Sequence, residues 1–118
     1  MAKVYSVHLI SLRLGVDPKE FERYVTEEMP DGFEFPGWKT RILKGESGDR
    51  PGKYAVLLEV DDLTTLYRYD DGSGTPTPAA EQFFAEHPEM ADIMERWAKL
   101  ATPFWEGIGI YTNYEVIA

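Results

Sequence analysis

Residues 3–14 set the first constraint on the fold. The run is rich in Val, Tyr, Ile and Leu, and Gly15 closes it. Read as a strand, it presents Val4, His8, Ile10, Leu12 and Leu14 on one side and Tyr5, Val7 and Leu9 on the other. A half-solvated strand alternates apolar with polar side chains. A strand that is apolar on both sides needs cover on both faces.

The punctuation after this run defines the remaining elements. Asp17-Pro18-Lys19-Glu20 is a helix start: Asp17 can cap free N–H groups, Pro18 suits the first helical position and Glu20 has capping-box spacing. Phe21, Tyr24, Val25 and Met29 recur at helical spacing, and Pro30, Asp31 and Gly32 stop the helix near residue 29. A loop through Phe33, Glu34, Phe35, Pro36 and Gly37 leads to a strand over 38–44. A Gly-rich turn over 45–52 and a strand over 54–60 follow, most simply as an antiparallel pair. Asp61 and Asp62 can cap a helix over 63–69, with Leu63, Leu66 and Tyr67 facing inward. The Gly/Pro/Thr-rich stretch over 70–78 is a loop by composition. Helix resumes over 79–86, and His87-Pro88 restarts it. Met90, Ile93, Met94, Trp97 and Ala101 then form an amphipathic stripe. Thr102-Pro103 breaks the helix, and a last strand runs over 108–116.

The order β-α-β-β-α-β predicts an α+β, ferredoxin-like fold. Its four-stranded antiparallel sheet carries helices on one face, and its second helical segment is enlarged. A chain of 118 residues with 43% apolar residues suits one domain over 1–118 with a real core. The sheet face opposite the helices is then bare. Leu43, Ala55 and Leu57 make one side of the central strands as apolar as Ile42, Val56 and Leu58 make the other. Exposed apolar patches of several hundred Å² mark interfaces, so a homodimer through that face is expected.

Composition removes several function classes. There is no cysteine, hence no disulfide, thiol chemistry or Cys-ligated metal. A net charge of −9 repels phosphate backbones and anionic lipid surfaces, so no nucleic-acid or membrane partner is expected. No run approaches 18 apolar residues and the first residues do not read as a secretory signal, so the cytoplasm is the expected location.

The pattern resembles the dimeric α/β-barrel superfamily. The resemblance rests on the opening strand over 4–14, Gly15-Val16-Asp17-Pro18-Lys19-Glu20-Phe21, Pro36-Gly37-Trp38, Gly52-Lys53-Tyr54-Ala55-Val56 and Asp61-Asp62-Leu63. Residues 75–101 depart from the shorter second helix of simple members. EthD-like and stress-responsive A/B-barrel proteins share this pattern, as do cofactor-free monooxygenases, lactone isomerases and haem-handling enzymes. The resemblance implies two sheets closing a barrel, and a pocket between sheet and helices or inside the barrel. It implies a fold and a range of activities rather than one reaction.

Individual residues give the chemistry two roles each. His8 is a base titrating near neutrality or a satisfied buried histidine. His87 fits a cap or loop contact. Neither histidine has metal-ligand spacing, and no metal or cofactor is expected. Arg41, beside Lys39 on the same side of its strand, either holds an anion or is an edge-strand charge. Tyr111 and Asn113 either orient a ligand oxygen or, for Tyr111, bridge the dimer interface. Gly107 and Gly109, on the Tyr111 side, allow close approach to the sheet. Trp38, Trp97, Trp105, Tyr54 and Tyr67 are an aromatic supply for a pocket, with Trp38 and Tyr54 as its walls, while Trp97 by its helical spacing is a core residue. Asp61-Asp62 and Asp70-Asp71 are caps and loop acids.

Three functional readings follow. The first is a cofactor-free enzyme of monooxygenase, isomerase or cyclase type acting on a hydrophobic oxygenated compound. Its base is His8, its hydrogen-bond partners are Tyr111 and Asn113, its anion hold is Arg41, and its walls are Trp38 and Tyr54. The second is a non-catalytic ligand-binding or stress-related homodimer. The third is an assembly subunit that docks through the helical face or the 70–78 loop.

Overall fold

The computed structural model describes residues 2–29, 34–105 and 109–118. Strands β1 (Val4–Ile10), β2 (Trp38–Lys44), β3 (Tyr54–Val60) and β4 (Ile110–Glu115) form one antiparallel sheet in the order β2-β3-β1-β4. Helices α1 (Pro18–Arg23), α2 (Leu63–Tyr69), α3 (Pro78–Glu86) and α4 (Glu89–Leu100) connect them. The helix stop at Pro30, Asp31 and Gly32, residue Phe33, and Gly107 and Ile108 lie outside the described residues.

Local chemistry accounts for the element ends. Asp17 accepts from the Lys19 amide at 2.9 Å, Asp62 from the Thr65 amide at 2.8 Å and Thr77 from the Ala80 amide at 3.2 Å. Each satisfies a free donor in a first helical turn. A π-helical turn over Tyr24–Glu28 continues α1, closed by the Met29 amide on the Tyr24 carbonyl at 2.9 Å. Tyr67, expected inward, is exposed, while Leu66 carries the buried contact of α2. A seven-residue helix has a narrow buried stripe, and here it centres on Leu66.

The opening strand run pairs with two different partners. Only Val4–Ile10 belongs to the sheet. Beyond it, Thr102 donates to the Ser11 carbonyl and Arg13 to the Leu100 carbonyl, both at 2.9 Å, with Leu12 bridged to Ala101. The residues after α4 thus extend the pairing of this run beyond Ile10. This ties the C-terminus of α4 to the first strand.

Register fixes the faces. Val4, Ser6, His8 and Ile10 stand opposite Val60, Leu58, Val56 and Tyr54. This set is buried beneath the helices around Trp97 and Phe21, whose rings meet edge-on at 5.4 Å. Tyr5, Val7, Leu9, Ala55 and Leu57 point the other way and are half-buried. β4 is exposed along its length.

Candidate functional site

β1 carries the polar centre of the buried face. Ser6 and His8 are two residues apart on a strand, so their side chains share a side. Both sit in the apolar interior, and His8 is only 7% exposed. Ser6 Oγ lies 2.8 Å from His8 Nε2, either atom donating according to the tautomer. The His8 ring stacks on Tyr111 at 5.1 Å and meets Phe104 edge-on at 5.8 Å. Tyr111 reaches this position because it is the direct cross-strand partner of His8. Nδ1 of His8 is buried and, among the described residues, has no hydrogen-bond partner. Burial holds the His8 pKa below its ordinary value, against a weaker upward pull from Asp70. The imidazole is therefore neutral at pH 7, with a free nitrogen in an apolar setting.

His8 belongs to the wall of a cavity of about 690 Å³ between sheet and helices. Ser6, His8, Leu58 and Tyr111 line it from the sheet, and Met90, Met94, Phe104 and Trp105 line it from α4 and the residues after it. Phe35, Trp38, Tyr69 and Phe84 form an aromatic side. The loop from Asp70 to Pro76 forms another wall. Asp70 Oδ1 and Asp71 Oδ1 accept from the amides of Gly72 and Ser73, which shapes the loop. Thr77 Oγ1 donates to the Arg68 carbonyl at 2.6 Å and closes it against α2. Small-molecule sites have this size and this mixture of apolar walls with few polar atoms.

Of the residues singled out from sequence, His8, Tyr111 and Trp38 meet in this cavity. Asn113 is on the same sheet side, opposite Ser6, but it is exposed and does not line the cavity. Arg41 pairs in register with Leu57, which puts it on the other sheet face. There its Nε meets Glu59 Oε1 at 3.3 Å, a half-exposed edge-strand ion pair. Tyr54 shares the buried side but lines a separate groove of about 350 Å³ with Glu22, Val25 and Ile42. Its hydroxyl donates to Glu22 Oε2, which also takes Lys44 Nζ at 3.2 Å. Burial, reinforced by that carboxylate, pushes the Tyr54 pKa up to about 12. His87 packs on Phe83 at 4.4 Å and meets Glu89 at 3.3 Å, a contact at the restart of the helix. Trp97 is wholly buried in the core. Gly109, ahead of β4, has φ +92°, a backbone state that favours glycine.

Sequence reasoning missed Ser6, Phe35, Phe104 and the loop wall. Ser6 was legible through its i,i+2 relation to His8. Phe35 and the loop were not, because loop residues meet the sheet only through tertiary packing. Among the described residues, no group of three or more His, Asp or Glu is arranged to hold a metal ion. None of their helices is long and apolar enough to cross a membrane.

No protein-family model and no curated protein matches the chain. Among solved structures it is similar to a DABB family protein with a ferredoxin-like fold from Mesorhizobium loti. The fold is ferredoxin-like. The two chains are 12% identical, each is covered over 100% of its length, and the TM-score is 0.56. The similarity agrees with the resemblance to the dimeric α/β-barrel superfamily, at the level of the fold.

Proposed function

We propose that the protein binds a small, hydrophobic, oxygenated compound between sheet and helices, and that His8 moves a proton on it without a cofactor. The observation that carries this reading is His8, a residue with an unpartnered, buried Nδ1 that lines the 690 Å³ cavity. A buried polar atom without a partner costs about 1–3 kcal/mol. A ligand O–H, C=O or acidic C–H would relieve that cost.

With Nε2–H donating to Ser6 Oγ, Nδ1 carries the free lone pair. It can take a proton from a carbon next to a carbonyl or from a phenol. Ser6 then stabilises the imidazolium, and the stacked Tyr111 holds the ring in plane. Isomerase or cyclase chemistry needs only removal of that proton and its return elsewhere. A monooxygenase would add dioxygen as co-substrate to the same enolate or phenolate.

The assembly in this reading is a homodimer through the face opposite the helices, where Val7, Leu9 and Leu57 are half-buried and Leu43, Ile110 and Tyr114 exposed. A stable pair would appear in native mass spectrometry at twice the 13.5 kDa chain mass.

A binder without turnover is the second reading. It is favoured because, among the described residues, Ser6 is the sole hydrogen-bond partner of the His8 imidazole. The two separate on a probe ketone with acidic C–H groups, 2-tetralone, followed by NMR in deuterated water. Catalysis predicts faster deuterium uptake with the protein, lost in a folded His8→Ala variant. Binding without faster uptake supports the second reading. Absence of binding refutes both.

A further inference from the structure

The cavity wall carries charge of one sign. Glu34 and Asp70 line it, and among the described residues no lysine or arginine does. Glu34 is half-buried and Asp70 exposed, which puts this charge toward solvent. Each carboxylate has one oxygen engaged: Glu34 Oε1 accepts the Thr40 amide at 3.3 Å, and Asp70 Oδ1 accepts the Gly72 amide at 3.1 Å. Among the described residues, the second oxygen of each has no hydrogen-bond partner in the protein.

Aromatic faces accompany these acids. Phe35 stacks on Tyr69 at 4.4 Å, and Trp38 and Phe84 meet Phe35 edge-on at 5.4 and 5.7 Å. Aromatic faces attract cations, and a chain with net charge −9 draws them toward its clefts. A carboxylate or phosphate ligand would meet two like charges with no counter-ion. The buried His8, with its unpartnered Nδ1, lines the same cavity, as do the apolar side chains of Met90, Met94 and Phe104. The site therefore combines acidic, aromatic and apolar walls with one buried imidazole.

We infer that the oxygenated ligand is also an amphipathic organic amine, its protonated nitrogen held by Glu34 and Asp70 beside Phe35 and Tyr69, its body reaching toward His8. This rests on the reading that the cavity is the ligand site, and it narrows the compound to a cation.

The test uses three naphthalene probes of one shape: 2-naphthylmethylamine, 2-naphthalenemethanol and 2-naphthoate. Calorimetry at pH 7.5 and low salt measures affinity, and the indole N–H signals of Trp38 and Trp105 report cavity occupancy. The amine should bind about tenfold tighter than the alcohol, and naphthoate weakest. The Glu34→Gln/Asp70→Asn variant should bring amine and alcohol within about twofold. Glu46→Gln/Asp49→Asn, which removes the same charge from the β2–β3 turn, should leave the preference intact. Should the first double variant fail to fold, Asp70→Asn alone, at an exposed residue, should still reduce the preference. Alcohol or naphthoate binding as tightly as the amine, with the indole signals shifted, overturns the amine inference and leaves the cavity reading standing. A preference lost equally in the turn variant also overturns it. If no probe binds, the cavity reading fails and the inference with it.

Discussion

Trp97→Ala tests whether the core is organised as described. Trp97 is 0% exposed, its ring meets Phe104 at 5.1 Å and Phe21 at 5.4 Å, and its Nε1 donates to the Thr102 carbonyl at 3.0 Å. Removing a buried Trp side chain costs about 3–5 kcal/mol through lost transfer energy and the cavity left behind. Losing the N–H also strips a partner from Thr102, whose own amide ties the chain to Ser11. For a domain of this size, each kcal/mol lowers Tm by about 4 °C, so a drop of about 12–20 °C is expected. Trp97→Phe keeps an aromatic ring but loses the N–H, and should cost about 1–2 kcal/mol. Urea denaturation followed by circular dichroism measures both. A loss below about 1 kcal/mol for Trp97→Ala, at unchanged m, would refute a core built on Trp97. The packing of Phe104 against His8 would then need another cause.

Two further predictions address the cavity. Because burial lowers the His8 pKa, the unfolded chain takes up this proton first on acidification. His8 then adds no pH dependence well above 6.5. Its stabilisation is lost as pH falls from 6.5 through the folded-state pKa, with a slope of at most about 1.4 kcal/mol per pH unit. Urea midpoints between pH 8 and 4 should show this component in the parent and not in His8→Phe; identical profiles would count against a buried neutral imidazole. Thr77→Ala removes both the α3 cap and the bond to the Arg68 carbonyl, and should cost about 1–2 kcal/mol while speeding amide exchange across residues 70–80. Thr77→Ser should recover most of it, and an unchanged midpoint in Thr77→Ala would show that the loop wall is held elsewhere.

The elements were legible because their signals are local. Asp17-Pro18, Asp61-Asp62 and His87-Pro88 mark helix boundaries through chemistry within a few residues, and the structure has helices at each. The α4 stripe was equally legible, with Met90 and Trp97 buried from its periodicity. Strand parity gave the pairing of side chains into sets but not the face each set meets. Arg41 shows the difference. Its parity with Lys39 and Leu43 was plain, yet its separation from His8 emerges only from the register through Leu57 and Val56.

The π-helical turn over Tyr24–Glu28 had no sequence signal, because one added residue per turn still fits an apolar stripe. The aromatic side of the cavity was hidden for a different reason. Phe35 and Tyr69 are 34 positions apart, and their stacking depends on how the loop before β2 settles beside α2.

The sequence by itself determined the order of elements, their caps and breaks, the exclusion of thiol and cysteine–metal chemistry, and the need to cover a strand that is apolar on both sides. Those follow from backbone constraints and side-chain type, which act over a few residues. Tertiary structure alone decided that His8 stacks on Tyr111 and that Glu34 and Asp70 line the same cavity. These depend on cross-strand register and on packing between distant segments. No local propensity specifies either one.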